Sequence, residues 1–141
     1  MKELTGNIWS FHESGEWIGV TTNGIVKSDG CAVMGKGIAL EAAKRFPKLP
    51  IQLAFKLRKS GNHVFFFLPY RIVTIPTKDD WKDDSKIELI ERSCMELREA
   101  SAGKVYLPPL GCGNGRLEWK SVKERISPIL DQDWFTVVHK E

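Results

Sequence analysis

The sequence has few cysteines, no long apolar run and little net charge, and each scarcity excludes a class of protein. The three cysteines are an odd number without a CxxC pair, which argues against a disulfide framework and against a structural zinc site. No apolar run approaches the ~18 residues that a membrane-spanning helix needs. The first residues lack the apolar core of a signal peptide, so we expect a cytoplasmic protein with no membrane association.

The charge balance is 21 Lys and Arg against 18 Asp and Glu, a net charge of +3. This balance permits an anionic ligand without indicating nucleic acid, because no basic stripe with interleaved aromatic residues is evident. The histidines are dispersed without metal-ligand spacing, so we expect neither a metal nor a cofactor. No linker, repeat or low-complexity stretch divides the 141 residues, and residues 1–141 are expected to form a single domain.

Apolar patterning predicts strands that alternate with helices along the chain. The alternation is typical of an α/β fold with a mixed or largely parallel sheet between two layers of helices. We expect Ser85 with Glu88, and Ser121 with Glu124, to begin two of the helices as capping boxes. The predicted strands are 17–22, 63–70, 71–77, 104–110 and 134–140, and the clearest predicted helices are 36–46, 50–60 and 85–100.

Three stretches that follow predicted strands carry the candidate chemistry. They are residues 23–37, 74–81 and 110–119, and ligands of such sheets bind beyond the carboxyl ends of the strands. The first stretch places Gly35 and Gly37 at the start of a helix, where unpaired N–H groups make an anion site. The third, "LGCGNGRLEW", is a second loop of exposed backbone. The two loops could hold a diphosphate between them, although a glycine-rich cap and a hairpin-like turn are the simpler alternatives.

Two reactive side chains lie in these stretches. Lys78 should emerge at the ligand edge, where it could bind phosphate or act as a nucleophile. The adjacent Asp79 and Asp80 favour instead a charged lysine in a solvated cluster. We interpret Cys112, between two glycines, as a small apolar residue and not as a nucleophile, because no histidine is placed to activate it.

The chain resembles macro domains along essentially its whole length. The segments that carry the resemblance occur in the family's order: "TGNIW", "VTTNG", "GCAVMGKGIALEAAKRFP", "IPTKDDW" and "YLPPLGCGNGRLEW". The chain is most similar to the branch that contains the DarG antitoxins and the terminal ADP-ribose glycohydrolases. This resemblance implies a three-layer α/β/α macro-domain fold with a mixed central sheet. It also implies that ADP-ribose binds at the sheet edge, with one glycine loop on each side of its diphosphate.

The resemblance implies roles for individual residues. Lys78 matches the family's catalytic lysine, which acts at the anomeric carbon of the distal ribose. Asn23, which matches an asparagine that approaches this ribose, is expected to join Lys78 in catalysis. Asn7 and Ile8 occupy the place of an adenine-contacting Asp-Ile pair, with an amide instead of the carboxylate. The residues expected to bind ADP-ribose are Asn7, Ile8, Thr22, Asn23, Met34, Gly35, Lys36, Gly37, Ile38, Pro109, Leu110, Gly111, Cys112, Gly113, Asn114 and Gly115.

The function implied is that of an ADP-ribosyl hydrolase, which removes ADP-ribose from modified nucleobases of DNA or from acidic side chains of proteins. We expect it to act as a monomer. Two alternatives are an ADP-ribose-1''-phosphate phosphatase and a non-catalytic ADP-ribose reader. Gly115 stands where glycohydrolases of the human type carry an aspartate, although DarG-like domains also have glycine there. Glu118 could orient water, but a charge at a helix start is the simpler account.

Overall fold

A mixed sheet of six strands forms the centre of the computed structural model, which describes residues 1–101 and 103–141. The strand order is β1-β6-β5-β2-β4-β3, and every neighbouring pair is parallel except β3 with β4. The strands are β1 (Lys2–Thr5), β2 (Trp17–Thr22), β3 (Phe65–Phe67), β4 (Ile72–Pro76), β5 (Val105–Leu107) and β6 (Phe135–His139). The α-helices of the described residues are α1 (Ile8–Glu13), α2 (Gly37–Arg45), α3 (Leu49–Ser60), α4 (Ile87–Ala100) and α5 (Trp119–Ile126).

Helices cover both faces of the sheet, which confirms the predicted three-layer α/β fold. On one face, α1, α2 and α3 pack their apolar side chains against the sheet; Trp9, Ala42 and Leu53 are representative. On the other face, α4 and α5 do the same with residues such as Ile90 and Ile126. Burial of these apolar side chains is the main stabilising contribution to the fold. Within the part of the chain that the structure describes, no helix is long and apolar enough to cross a membrane.

The first two elements and two helix starts differ from the sequence-based expectations. Patterning did not predict β1 or α1, because β1 has only four residues at the sheet edge, where mostly exposed side chains leave no apolar alternation. Neither capping box forms. Helix α4 begins after Lys86, and the N–H group of Ser85 donates instead to the Gly115 carbonyl at 3.0 Å. Helix α5 begins after Glu118, so Ser121 lies inside it.

The parallel strands place three connections at one edge of the sheet. Because β2, β4 and β5 are parallel, their carboxyl ends share that edge. The connections that leave them are the first glycine loop (residues 23–36), the lysine loop (residues 77–86) and the second glycine loop (residues 108–118). The three stretches singled out in the sequence therefore lie side by side.

A carboxylate on the edge strand ties α5 to the sheet. Glu3 of β1 accepts bonds from Lys123 Nζ at 2.6 Å and Trp119 Nε1 at 2.7 Å, and lies 2.9 Å from His139 Nε2. These bonds, with that from Lys123 the largest cause, lower the pKa of Glu3 from 4.5 to about 2. Since α5 begins just after the second glycine loop, the cluster fixes one end of that loop.

Replacing Glu3 with glutamine should flatten the acid dependence of stability. The folded-state pKa of Glu3 is lowered, so its contribution is present above the unfolded value of 4.5 and is lost as pH falls towards about 2. The free energy of unfolding in urea, measured across this interval, should fall more steeply for the wild type than for Glu3→Gln. Glu124→Gln, an exposed change on α5, serves as the control. Parallel curves for the wild type and Glu3→Gln would contradict this contribution of Glu3 to stability.

Candidate active site

Lys78 links the lysine loop to the second glycine loop. Its Nζ atom donates to the carbonyl oxygen of Asn114 at 3.1 Å and to that of Trp81 at 3.4 Å. The side chain therefore lies over the second glycine loop instead of extending into solvent. This placement brings the one candidate nucleophile of the lysine loop to the glycine-rich backbone.

The carboxylates that flank Lys78 in sequence have other partners. The Asp79 carboxylate accepts from Asn62 Nδ2 and Lys86 Nζ, both at 3.1 Å, and these bonds lower its pKa below the ordinary value. Asp80 Oδ1 accepts from the backbone N–H of Lys82 at 3.1 Å, and Asp80 Oδ2 lies 3.6 Å from Lys82 Nζ. Within the described residues Lys78 forms no salt bridge, so neither flanking carboxylate is its ion-pair partner.

Asn62, two residues beyond α3, holds the backbone of the lysine loop. Its Nδ2 donates to the Lys78 carbonyl at 3.0 Å as well as to Asp79, and the Arg92 guanidinium donates to the Asn62 carbonyl. The N–H of Gly24 donates to the Asp79 carbonyl at 3.0 Å, so the first glycine loop is joined to the same segment. We call this arrangement the Asn62 clamp. Sequence reasoning missed it, because Asn62 follows a helix-ending glycine and resembles an ordinary turn residue.

Asn23 braces the first glycine loop from within. Its Nδ2 donates to the Val33 carbonyl at 3.1 Å, and its Oδ1 accepts from the Ile25 N–H at 3.0 Å. The neighbouring Thr22 is buried, and its carbonyl accepts from the Thr77 N–H at 3.1 Å. One amide hydrogen and one lone pair of Asn23 therefore remain for another partner.

The start of α2 presents unpaired backbone N–H groups. In the described chain Lys36, the N-cap residue, makes no side-chain cap bond, and Leu40 is the first residue whose N–H donates to the Lys36 carbonyl. The N–H groups of Gly37, Ile38 and Ala39 thus have no intrahelical acceptor, which is the arrangement that binds anions. Met34 just before this turn is buried, and Gly35 and Lys36 are exposed.

The two glycine loops face each other across a narrow gap. Gly37 has a φ of 56°, and a Cβ atom there would lie 3.1 Å from Asn114 Nδ2. A side chain at position 37 would be strained and would also press on the opposite loop. The N–H groups of Gly111, Gly113 and Asn114 donate to no backbone carbonyl of residues 1–101 and 103–141. Both loops therefore carry N–H groups that have no backbone acceptor among the described residues.

Gly115 is pressed against a buried serine. A Cβ atom at position 115 would lie 2.2 Å from Ser85 Oγ and 3.0 Å from Ser85 Cβ. No side chain fits at 115 while Ser85 keeps its place, so an aspartate at this position is sterically excluded. Glu118 is exposed at the N-cap of α5, and Leu110 is fully buried beneath the loop.

The remaining candidate residues are Cys112 and Pro109 in the second glycine loop and Asn7 before α1. Cys112 is half-buried, its Sγ lies 3.7 Å from the Leu110 carbonyl, and burial raises the pKa of its thiol. A raised pKa keeps the sulfur protonated, which fits a packing residue. The Pro109 carbonyl accepts from the Cys112 N–H. Asn7 caps α1, accepting from the Trp9 N–H at 3.0 Å, so its carbonyl oxygen is partly occupied.

Comparisons with known proteins agree with this geometry. No family model matches the chain. The solved macrodomain of Thermus aquaticus DarG has a TM-score of 0.73 and 30% identity, over 99% of this chain and 97% of that one. The chain belongs to the macrodomain family. A DNA ADP-ribosyl glycohydrolase of Mycobacterium tuberculosis is 32% identical over 133 residues, 84% of this chain, although this chain spans only 38% of that relative.

A second solved structure, at 21% identity, is similar to this macrodomain in fold. Thermosipho africanus DarTG in complex with ADP-ribose has a TM-score of 0.80 at 21% identity, and the match covers 99% of this chain and 41% of that one. The expected similarity to DarG macrodomains is thus confirmed in sequence and in structure. The three loops at the carboxyl edge are the part of this macrodomain where chemistry is to be sought.

Filling the space at Gly115 should destabilise the macrodomain, and removing Ser85 should relieve the strain. Gly115→Ala forces its methyl group onto Ser85, and such overpacking costs about 1–3 kcal/mol. In Gly115→Ala/Ser85→Gly the serine side chain is absent, so most of that loss should be recovered. Urea unfolding measures both, with Gly103→Ala, which meets open space, as the control. Equal losses in the single and double variants would show that the two positions are not coupled.

Removing the donors of Asn62 should loosen the lysine loop without unfolding the domain. Asn62→Asp keeps the shape but loses both N–H bonds and sets a carboxylate beside that of Asp79. Amide hydrogen exchange of the Gly24 N–H, which donates to Asp79, should accelerate about tenfold, the equivalent of one lost hydrogen bond. Gln52→Glu on α3 carries the same charge change away from the loop. If it accelerates Gly24 exchange equally, the Asn62 clamp has no specific part in holding the loop.

Proposed function

We propose that this macrodomain binds ADP-ribose along the carboxyl edge of its sheet. The adenine end lies near Asn7 and Ile8, which follow β1, and the distal ribose lies near Lys78, which follows β4. Four strand steps separate β1 from β4 in the sheet order, a span of about 19 Å at ~4.8 Å per step. An extended ligand with a nucleoside at one end and a second sugar at the other suits such a span.

The diphosphate of ADP-ribose fits between the two glycine loops. The N–H groups of Gly37 and Ile38 at the start of α2 supply donors and the positive end of a helix dipole. Gly111, Gly113 and Asn114 supply N–H groups from the opposite side. Gly35, Lys36 and Gly115 complete the loops. The missing side chain of the exposed Gly35 lets a phosphate approach the backbone, and Lys36 adds a cation.

The observation that carries an enzymatic function is the position of Lys78. Its Nζ lies 3.1 Å from the Asn114 carbonyl, within the second glycine loop. The ribose beyond the diphosphate would be held beside this part of the loop. As the unprotonated amine, Nζ attacks the anomeric carbon while the bond to the base breaks. The base leaves with the bonding electrons and takes a proton from solvent, and water then displaces the lysine. The remaining amide hydrogen of Asn23 would donate to that ribose.

DNA is the proposed carrier of the ADP-ribosyl group. Its support is the relative named DNA ADP-ribosyl glycohydrolase, which is 32% identical. We further propose that residues 1–141 act as one domain and as a monomer, since all three loops leave one edge of a single sheet that has a core on each face. The whole reaction is then a glycosidic hydrolysis that releases ADP-ribose and leaves the base intact.

Lys78→Ala should abolish hydrolysis and leave ligand binding almost unchanged. ADP-ribose release from an ADP-ribosylated single-stranded oligonucleotide should fall at least about 100-fold, because the nucleophile is lost while the diphosphate donors remain. Isothermal calorimetry should give an ADP-ribose Kd within about threefold of the wild-type value, which is a change in binding free energy of less than about 1 kcal/mol. Lys82→Ala, in the same loop but paired with Asp80, is the matched control and should keep full activity.

The same assays distinguish the alternatives. If the wild type releases inorganic phosphate from ADP-ribose-1''-phosphate and leaves the oligonucleotide untouched, the protein is a phosphatase. If ADP-ribose raises the melting temperature by mass action but no substrate is cleaved, the protein is a reader. Cleavage of an ADP-ribosylated glutamate peptide alone would move the substrate from DNA to protein.

A further inference from the structure

The positive charge of the macrodomain is concentrated in one quarter of its chain. Residues 27–60, which include α2 and α3, contain eight Lys and Arg against two Asp and Glu. The excess there is six, whereas the whole chain has an excess of three, so the rest of the chain is net negative. A field of one sign over one surface attracts a polyanion even when the overall charge is small.

Helix α3 shows this concentration most clearly. It contains three cations and no carboxylate, and Lys48 precedes it. Its inner face is apolar and buried, while its outer face leaves Phe55 64% exposed and Ile51 54% exposed. We call the outward-facing set the α3 basic face: Lys48, Ile51, Phe55, Arg58 and Lys59.

Some cations near the α3 basic face already have partners within the domain and are therefore not included in it. Arg45 lies over the Trp9 ring at 4.1 Å and pairs with Glu13 at 3.3 Å. Lys56 lies 5.5 Å from the centre of the Phe67 ring. Within residues 1–101 and 103–141, Lys48, Arg58 and Lys59 form no salt bridge, so these three cations are exposed and open to an external anion.

The α3 basic face ends beside the candidate active site. A Cβ atom on Gly30 would lie 3.7 Å from Arg58 Nη2, so the end of α3 touches the first glycine loop. Asn62, just past the helix, donates to the Lys78 carbonyl at 3.0 Å. A polymer attached to the ribose at Lys78 would therefore meet Arg58 and Lys59 as it leaves the site.

We propose that the α3 basic face binds the single-stranded DNA that carries the ADP-ribosyl group. Lys48, Arg58 and Lys59 contact its phosphates, and one base stacks on the exposed Phe55 ring. An exposed aromatic residue among cations is the usual platform for single strands, because every base has a stacking surface. A folded protein substrate would require neither phosphate contacts nor a stacking ring. This proposal rests on the proposed hydrolysis of ADP-ribosylated DNA and adds the surface that selects the polymer.

Kinetics on two substrates of different length test the proposal. One is an ADP-ribosylated single-stranded oligonucleotide, and the other is the same ADP-ribosylated base as a lone nucleoside. For Arg58→Glu/Lys59→Glu, kcat/KM on the oligonucleotide should fall at least about tenfold. The slope of log kcat/KM against log salt should shrink by about 1.4 for two lost phosphate contacts. Phe55→Ser should lower kcat/KM on the oligonucleotide at least about fivefold. All variants should cleave the nucleoside like the wild type.

Controls separate a specific surface from general charge and from damage to the fold. Lys104→Glu/Lys140→Glu makes the same charge change at exposed positions outside α3 and should leave oligonucleotide cleavage unchanged. An equal loss in this control, or an equal loss of nucleoside cleavage in the α3 variants, overturns the proposal. So does unchanged oligonucleotide cleavage in the α3 variants, which would leave the proposed function intact. A wild type that cleaves neither substrate overturns both this proposal and the proposed function. Cleavage of an ADP-ribosylated peptide alone overturns DNA as the substrate, and with it the role of the α3 basic face.

Discussion

The hydrogen bonds that join the lysine loop to its neighbours are the constraint on which the rest of the site depends. Asn62 holds the Lys78 carbonyl and the Asp79 carboxylate, and Gly24 holds the Asp79 carbonyl. These bonds leave the Lys78 side chain free to reach the second glycine loop. They also connect segments that are far apart in the chain, since the residues that follow α3, β2 and β4 all contribute. Hydrogen bonds to the backbone of this loop fix the position of Lys78, although its side chain is not packed in the core.

Close contact between the glycine backbone and neighbouring side chains explains these glycines better than flexibility does. Gly37 faces Asn114, and Gly115 rests on Ser85; in both places a Cβ atom would meet another atom at 3.1 Å or less. Glycine in these loops loses more conformational entropy on folding than other residues would. The absence of side chains, however, leaves a gap between the loops, and on both sides of it the described residues carry free N–H groups. The Glu3 cluster contributes indirectly, because it anchors α5 at the far end of the second loop.

Apolar patterning predicted the layered fold and the edge at which the loops meet, because β2, β4 and α3 bury continuous or periodic apolar residues. It missed β1, which is short and lies at the edge of the sheet, and α1, which has only six residues. It also placed Ser85 at a helix start, whereas the serine packs under Gly115 and bonds through its backbone. The Asn62 clamp and the α3 basic face depend on contacts across 16 or more residues and on which helix face is buried. Local spacing carries no information on these contacts, although apolar periodicity does indicate which face of α3 is buried.

The acids near the site define what kind of catalysis the proposed reaction must use. Asp79 and Asp80 point to lysines and backbone groups, Gly115 leaves no space for a carboxylate, and Glu118 is exposed at the start of α5. A paired-carboxylate mechanism, with one acid and one base flanking the bond, therefore has no acids in place. In the proposed reaction, the amine of Lys78 is therefore the group that acts on the ribose. The two carboxylates that flank Lys78 accept hydrogen bonds from other residues, and among the described residues neither forms a salt bridge with it.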